Sequence, residues 1–159
     1  MFVSAIKVAI LGIPGHGPFP KDLPDPVIVQ YFNEFDQFIN ASGDIFIDTE
    51  FTPGSERVAA LQQLLPAVVL INAVAVSGKS LPAGFFRYNG WAGFEAGAVL
   101  EISGNEGEIP DLVLQFSMAC GLTCMAVPGQ PGFIRPRVVA MIINEAYHAL
   151  GEGVSSPGE

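Results

Sequence analysis

DIFIDTEFTPGSERVAALQQLLPAVVLINAVAV, residues 44–76, decides the fold. Residues 44–51 alternate apolar and acidic side chains, the pattern of a strand. Pro53, Gly54 and Ser55 break that strand, and Ser55 caps a helix over residues 56–65. Val58, Leu61, Leu64 and Leu65 turn inward from it. Residues 68–76 form an almost unbroken apolar run, which predicts a strand buried on both faces. Strand, helix and strand at this spacing predict a parallel pair joined by a right-handed crossover.

Upstream, residues 2–13 (FVSAIKVAILGI) form a β-rich apolar run ending in glycine, which predicts a buried first strand. Gly12-Ile13-Pro14-Gly15-His16-Gly17 follows, and Gly12, Gly15 and Gly17 invite comparison with the dinucleotide fingerprint G-x-G-x-x-G. The second glycine of that fingerprint lets the backbone approach a diphosphate. Here the position is Pro14, bulky and without an N–H. Pro18, Pro20, Pro24 and Pro26 then replace the helix whose N-terminus would hold the phosphate. Residues 27–32 read as a strand or a helix start, and residues 33–41 as a short helix ended by Ser42-Gly43.

Downstream, Ser77-Gly78-Lys79-Ser80 resembles the end of a P-loop, but Ala73 stands where the motif needs its first glycine. Leu81-Pro82 also blocks the helix that should follow. Residues 84–89 and 98–102 read as short strands joined by a Gly-rich loop containing Trp91. A helix over 109–121 and a strand over 123–128 come next. The longest predicted helix starts near Phe133, after Pro131-Gly132, and stops at Gly151 and Gly153, with Pro157 beyond. Arg137, Asn144, Glu145 and His148 form its polar stripe. Val138, Val139, Ile142, Ile143, Ala146 and Leu150 help cover roughly 200° of the remainder, where about 100° suits a surface helix. Such a helix must be covered on more than one side, and a homodimer through residues 133–151 would do so.

A chain of 159 residues is long enough for one domain with a substantial core. Its formal charge of −9, with seven Lys and Arg, argues against nucleic acid and anionic membranes as partners. The apolar run 66–76, interrupted by Asn72, is shorter than the ~20 residues of a membrane span. Lys7 inside the first apolar run and the lack of a small-residue cleavage pattern speak against a signal peptide. Cys120 and Cys124 read as buried free thiols in a reducing cytoplasm. His16 and His148 lie in unrelated segments, so no metal site is expected.

Several short matches recur in order. Gly132-Phe133-Ile134 and Arg137-Val138, then Asn144-Glu145-Ala146 and Glu152-Gly153-Val154, resemble the P-G-F-I-x-N-R, N-E-A and E-G-V pattern of the 3-hydroxyacyl-CoA dehydrogenase family. Residues 44–48 stand where that family has D-x-V-I-E-A, and residues 69–72 where it has L-A-S-N-T-S-S-L. Residues 86–90 (FRYNG) stand at its H-F-F-N-P and residues 98–102 (AVLEI) at its K-L-V-E-V. The resemblance covers about two-thirds of the chain, and the segment between the first strand and Asp44 has room for little more than one crossover. It implies an α/β fold: a reduced Rossmann-like, mostly parallel sheet with flanking helices and a long C-terminal helix. Residues 1–130 would be the core. Residues 131–159 would match the start of the dehydrogenase helical domain, within a single domain overall.

The family's chemistry needs a histidine base on the substrate hydroxyl, a glutamate to orient it, and Ser and Asn to hold the substrate oxygen. By the resemblance, the histidine position is Phe86, the serine positions are Val74 and Ala75, and the asparagine of P-G-F-I-x-N-R is Pro136. The glutamate persists as Glu101, together with Asn72 and Asn89. A glutamate without its histidine reads as a strand-end carboxylate in water. The expectation is therefore a catalytically inactive relative that acts as a small-ligand-binding or assembly module. The alternative is an NAD-dependent oxidoreductase with rewired residues, in which His16 enters the site from its loop. Any ligand would sit at the carboxyl ends of the strands, between residues 12–17, 72–77 and 86–91.

Overall fold

The computed structural model describes residues 5–94, 97–104, 108–154 and 156. Strands β1 (Ile6–Leu11), β2 (Val27–Phe32), β3 (Ile45–Asp48) and β4 (Val68–Asn72) precede β5 (Phe85–Tyr88), β6 (Val99–Gly104) and β7 (Thr123–Ala126). Helices α1 (Phe35–Ile39), α2 (Ser55–Gln62), α3 (Asp111–Ala119) and α4 (Arg135–Gly151) alternate with them, and Gly78–Ser80 forms a single 3-10 turn. The seven strands make one sheet in the order β2-β1-β3-β4-β5-β6-β7. Neighbours pair in parallel except β5 and β6, which are antiparallel. The described residues of the loop from β5 to β6 form no helix, and a parallel return needs a crossover of about a dozen residues or more, usually helical. The chain therefore reverses there.

The sheet is covered on both faces. Ile10, Ile47, Leu70, Tyr88 and Ile102 pack on Phe116 of α3 and on Phe19 from the loop after β1. Leu11, Phe46, Ile71 and Phe85 pack on Phe38 of α1 and Leu61 of α2. Because β1 lies between β2 and β3, Leu11 faces Phe32 on one side and Asp48 on the other. The chain leaves β1 toward β2 on one side and β3 toward β4 on the other, which opens a crevice at the carboxyl ends of these strands.

Several boundaries differ from the sequence reading. The described part of the first strand is Ile6–Leu11, while the anticipated residues 2–4 lie outside the described residues, as does Pro157. Ser55 does not cap α2: it is the first helical residue, and Gly54 occupies the cap position with no side-chain bond. The acidic alternation of β3 does not mark a wet face, since all four of its residues are buried. Asp48 tolerates burial because the Arg57 guanidinium grips it at 2.8 Å through both Nε and Nη2. Cys120 and Cys124 are free but only half-buried, where full burial was expected, because they flank a turn at the sheet edge.

The last helix begins two residues later than expected. Gly132 and Phe133 take positive φ values of 93° and 48°, a kink incompatible with helix. From Arg135 onward α4 runs for 17 residues. Its apolar side chains stand in solvent: Met141 is 69% exposed, Ile142 63% and Tyr147 71%. Among the described residues no helix is long and apolar enough to cross a membrane.

Candidate functional site

Glu101 is the residue that the structure changes most. It is fully buried in the middle of β6, not at a wet strand end. Its Oε2 accepts a hydrogen bond from Asn89 Nδ2 at 2.8 Å. Its Oε1 accepts from the backbone N–H groups of Ile134 and Arg135, each at 2.9 Å. These two donors belong to the first turn of α4, where N–H groups lack helical partners and the dipole favours an anion. Glu101 therefore ties the root of α4 to the sheet. Arg135 completes the joint by donating to Val99 O at 2.8 Å and Phe94 O at 3.2 Å.

Phe86 lies on the other face of the sheet. It pairs with Gly104 and packs with the Tyr88 and Ile102 side. Alternation along β5 places Arg87 and Asn89, not Phe86, on the face of Glu101. Arg87 is 1% exposed. Its guanidinium donates to the carbonyls of Ala73, Val76 and Gln130 and to Ser103 Oγ, and it stacks 5.0 Å from the Phe133 ring centroid. Among the described residues no carboxylate pairs with it, its Nε has no partner, and burial pushes its pKa down. The signal for this cluster in the sequence is a lone charged residue inside the apolar strand FFRY.

The crevice at the carboxyl ends is a cavity of about 190 Å³ walled by His16, Gly17, Pro18, Thr49, Asn72, Tyr88, Gly90 and Ala92. Gly17 and Asn72 thus meet in one place, while Gly12 and Gly15 are not among the walls. Gly12 lies behind Thr49: a Cβ there would fall 2.2 Å from Thr49 Oγ1. Asn72 straps the crevice together, donating to Thr49 O at 3.2 Å and Gly90 O at 3.3 Å and accepting from Gly90 N–H at 3.1 Å. Neither Val74, buried with Val127 and Phe133, nor Ala75 lines the crevice. The Tyr88 hydroxyl has no hydrogen-bond partner among the described residues, and burial holds its pKa well above the usual phenol range. A larger hollow of about 730 Å³ sits at the amino end of β5, beside Glu108 and Asp111, remote from the switch point.

The residues after β1 do not fit a dinucleotide diphosphate. Residues 13–26 run as turns and bends, so no helix follows β1 to turn its N-terminus on a diphosphate. Gly15 and Gly17, with φ of 80° and 88°, serve turns and have open space around them. Among the described residues no cluster of His, Cys, Asp or Glu could hold a metal ion.

No family model matches the chain. One curated relative, a D-glycero-beta-D-manno-heptose-1,7-bisphosphate 7-phosphatase of Mesorhizobium japonicum, is 31% identical over 103 residues. That match covers 59% of this chain and 46% of the relative, so the chain spans about half the length of the protein it matches. Solved structures align more fully. An (S)-3-hydroxybutyryl-CoA dehydrogenase from Ralstonia eutropha is 18% identical, with a TM-score of 0.69, over 98% of this chain and 75% of the other. A 5-formyl-3-hydroxy-2-methylpyridine-4-carboxylic acid 5-dehydrogenase, an NAD+-dependent dismutase, gives a TM-score of 0.72 at 13% identity over 97% and 68%. A 3-hydroxyacyl-CoA dehydrogenase from Archaeoglobus fulgidus gives 0.68 at 17% identity over 96% and 66%. At these identities the likeness shows the fold. It is Rossmann-like, of the kind seen in the 3-hydroxyacyl-CoA dehydrogenases, as the sequence motifs had suggested.

Proposed function

We propose that this chain is a dehydrogenase-fold module without hydride-transfer chemistry. It assembles as a homodimer through α4 and holds a small, largely apolar ligand in the crevice. The observation that carries this reading is the engagement of Glu101. Three of the roughly four acceptor sites of this fully buried carboxylate are taken by Asn89 and two N–H groups at the root of α4, so the described contacts commit it to holding the helix. Phe86, at the position of the base by the motif match, cannot accept a proton and faces away from it. In this reading residues 1–130 are the binding core and residues 131–159 the assembly arm. The free thiols Cys120 and Cys124 suit a reducing cytoplasm.

The dimer reading is supported by the chemistry of α4. Val139, Ile143 and Leu150 are 43%, 49% and 37% exposed. Covering a large apolar side chain is worth roughly 1.5–3 kcal/mol. Arg137 sits near one end of the helix, and Glu145 and Glu152 lie toward the other. An antiparallel pair of copies brings opposite charges together and buries both apolar faces.

A second reading, an NAD-dependent oxidoreductase on a hydroxyacyl-type substrate, is favoured by two placements. His16 lines the crevice. Glu34 follows β2 about twenty residues beyond Gly12, where dinucleotide folds hold ribose hydroxyls. Purified protein mixed with NADH and acetoacetyl-CoA separates the two readings. We expect the NADH absorbance to stay at the buffer rate. Turnover lost in His16→Ala would replace the first reading with the second.

A further inference from the structure

We propose that the hollow between the Gly78–Ser80 turn and the segment before α4 is a binding site for a small oxyanion, a carboxylate or phosphate group, held by Lys79 in front of Arg87. The cavity measures about 420 Å³ and is walled by Ser77, Gly78, Lys79, Gly104 and residues 128–131, with no acidic side chain among the described residues. It shares no wall residue with the crevice.

Two observations point to an anion. The first is the buried guanidinium of Arg87. A buried cation without a counter-charge is costly, and neutral oxygens alone surround this one among the described residues. Two of those oxygens, Ser103 Oγ and Gln130 O, belong to the cavity side. Its Nε has no partner among the described residues, and a buried unsatisfied donor in a native fold calls for an unseen water or ion. The second is access. Gly78 and Gly129 are stitched by a 2.8 Å backbone hydrogen bond. A Cβ on Gly129 would lie 3.7 Å from Ser103 Oγ and 3.8 Å from Gly78 Cα. A side chain on Gly129 would occupy the gap between the cavity wall and Ser103, whose Oγ accepts from the guanidinium of Arg87. Lys79 is exposed at the rim and makes no ion pair among the described residues. An oxyanion in the gap would receive the ammonium directly and the field of Arg87 from behind, where low dielectric strengthens the attraction.

The test is titration calorimetry of the purified full chain with inorganic phosphate and, separately, malonate, at fixed ionic strength in chloride. Calorimetric saturation is needed because phosphate also stabilises proteins non-specifically by exclusion. We expect saturable binding of at least one anion with a Kd of about 1 mM or below. Saturation by phosphate alone identifies a phosphate group, and by malonate alone a carboxylate. Lys79→Ala should weaken binding about tenfold, the loss of one charge-assisted contact. Gly129→Val fills the gap at a position with ordinary backbone φ, and should abolish binding while circular dichroism stays unchanged. Absence of saturation with both anions overturns the proposal. So does wild-type affinity in both variants.

Discussion

Replacing Glu101 tests how the last helix is attached. Glu101→Ala deletes the acceptor of three hydrogen bonds: one from Asn89 at 2.8 Å and two from backbone N–H groups at 2.9 Å. Hydrogen bonds to a charged group are worth about 1.5–3 kcal/mol each, but they are not additive. Ile134 is 46% exposed, so water entering the gap would satisfy part of what is lost at its N–H. The net cost should resemble the breaking of one buried charge arrangement, about 3–5 kcal/mol. Glu101→Gln keeps the volume and the Oε1 acceptor. It loses the charge and turns an NH2 toward the Asn89 NH2, so it should cost about 1.5–3 kcal/mol. Urea denaturation followed by circular dichroism measures both, with the slope m unchanged if the denatured state is unaffected. In a domain of this size the Ala variant should melt at least about 6 °C lower. The double variant with Asn89→Ala should cost less than the two single changes summed, because the pair is in contact. A loss below about 1 kcal/mol in Glu101→Ala would refute the anchor, since a fully buried carboxylate with three donors cannot be removed so cheaply.

Light scattering at micromolar concentration should give twice the 16.8 kDa chain mass. Ile143→Glu should return the mass to one chain without unfolding it, and a mutant that stays dimeric would move the interface away from α4. Gly12→Ala should be destabilising by several kcal/mol, because its φ is 144° and its Cβ would meet Thr49 Oγ1 at 2.2 Å; thermal melting checks it, and a shift below one degree would contradict the packing at the switch point. Alkaline pH should destabilise the fold. Burial pushes the Cys120 thiol from 9.0 up to about 12 and raises Cys124, Tyr31 and Tyr88 as well. The folded state then keeps protons that the unfolded state releases, so stability is full below about pH 9 and falls as pH climbs from there. Urea midpoints between neutral pH and pH 10.5 should fall accordingly, and a flat profile would contradict the burial of these groups.

Much of the fold was legible in short stretches. The run 68–76 contains β4, and the spacing of Val58, Leu61 and Leu64 marks α2 as the crossover helix. Local readings failed where partners are distant. The alternation around Asp48 marks a strand, but nothing local shows that Arg57 of α2 closes on the acid and lets it be buried. Ser55 looked like a cap, yet its place inside the first turn leaves the cap to Gly54. Of the residues that wall the crevice, Gly17 and Asn72 stand in stretches that short motifs single out, whereas Thr49 and Tyr88 carry no motif and come to it only through the sheet.

The sequence by itself determined the element order, the parallel α/β class and the apolar excess of the last helix. Periodicity and Gly/Pro punctuation act within a few residues, and those features follow from them. Only the tertiary structure decided what the buried charges do. Glu101 finds its backbone donors 33 and 34 residues away, and Arg87 reaches Gln130 across 43. Those contacts exist because the antiparallel turn from β5 to β6 and the kink at Gly132-Phe133 bring distant segments onto one face of the sheet. No local rule encodes that meeting, since the cost of burying a charge is met by whichever groups the completed fold places around it.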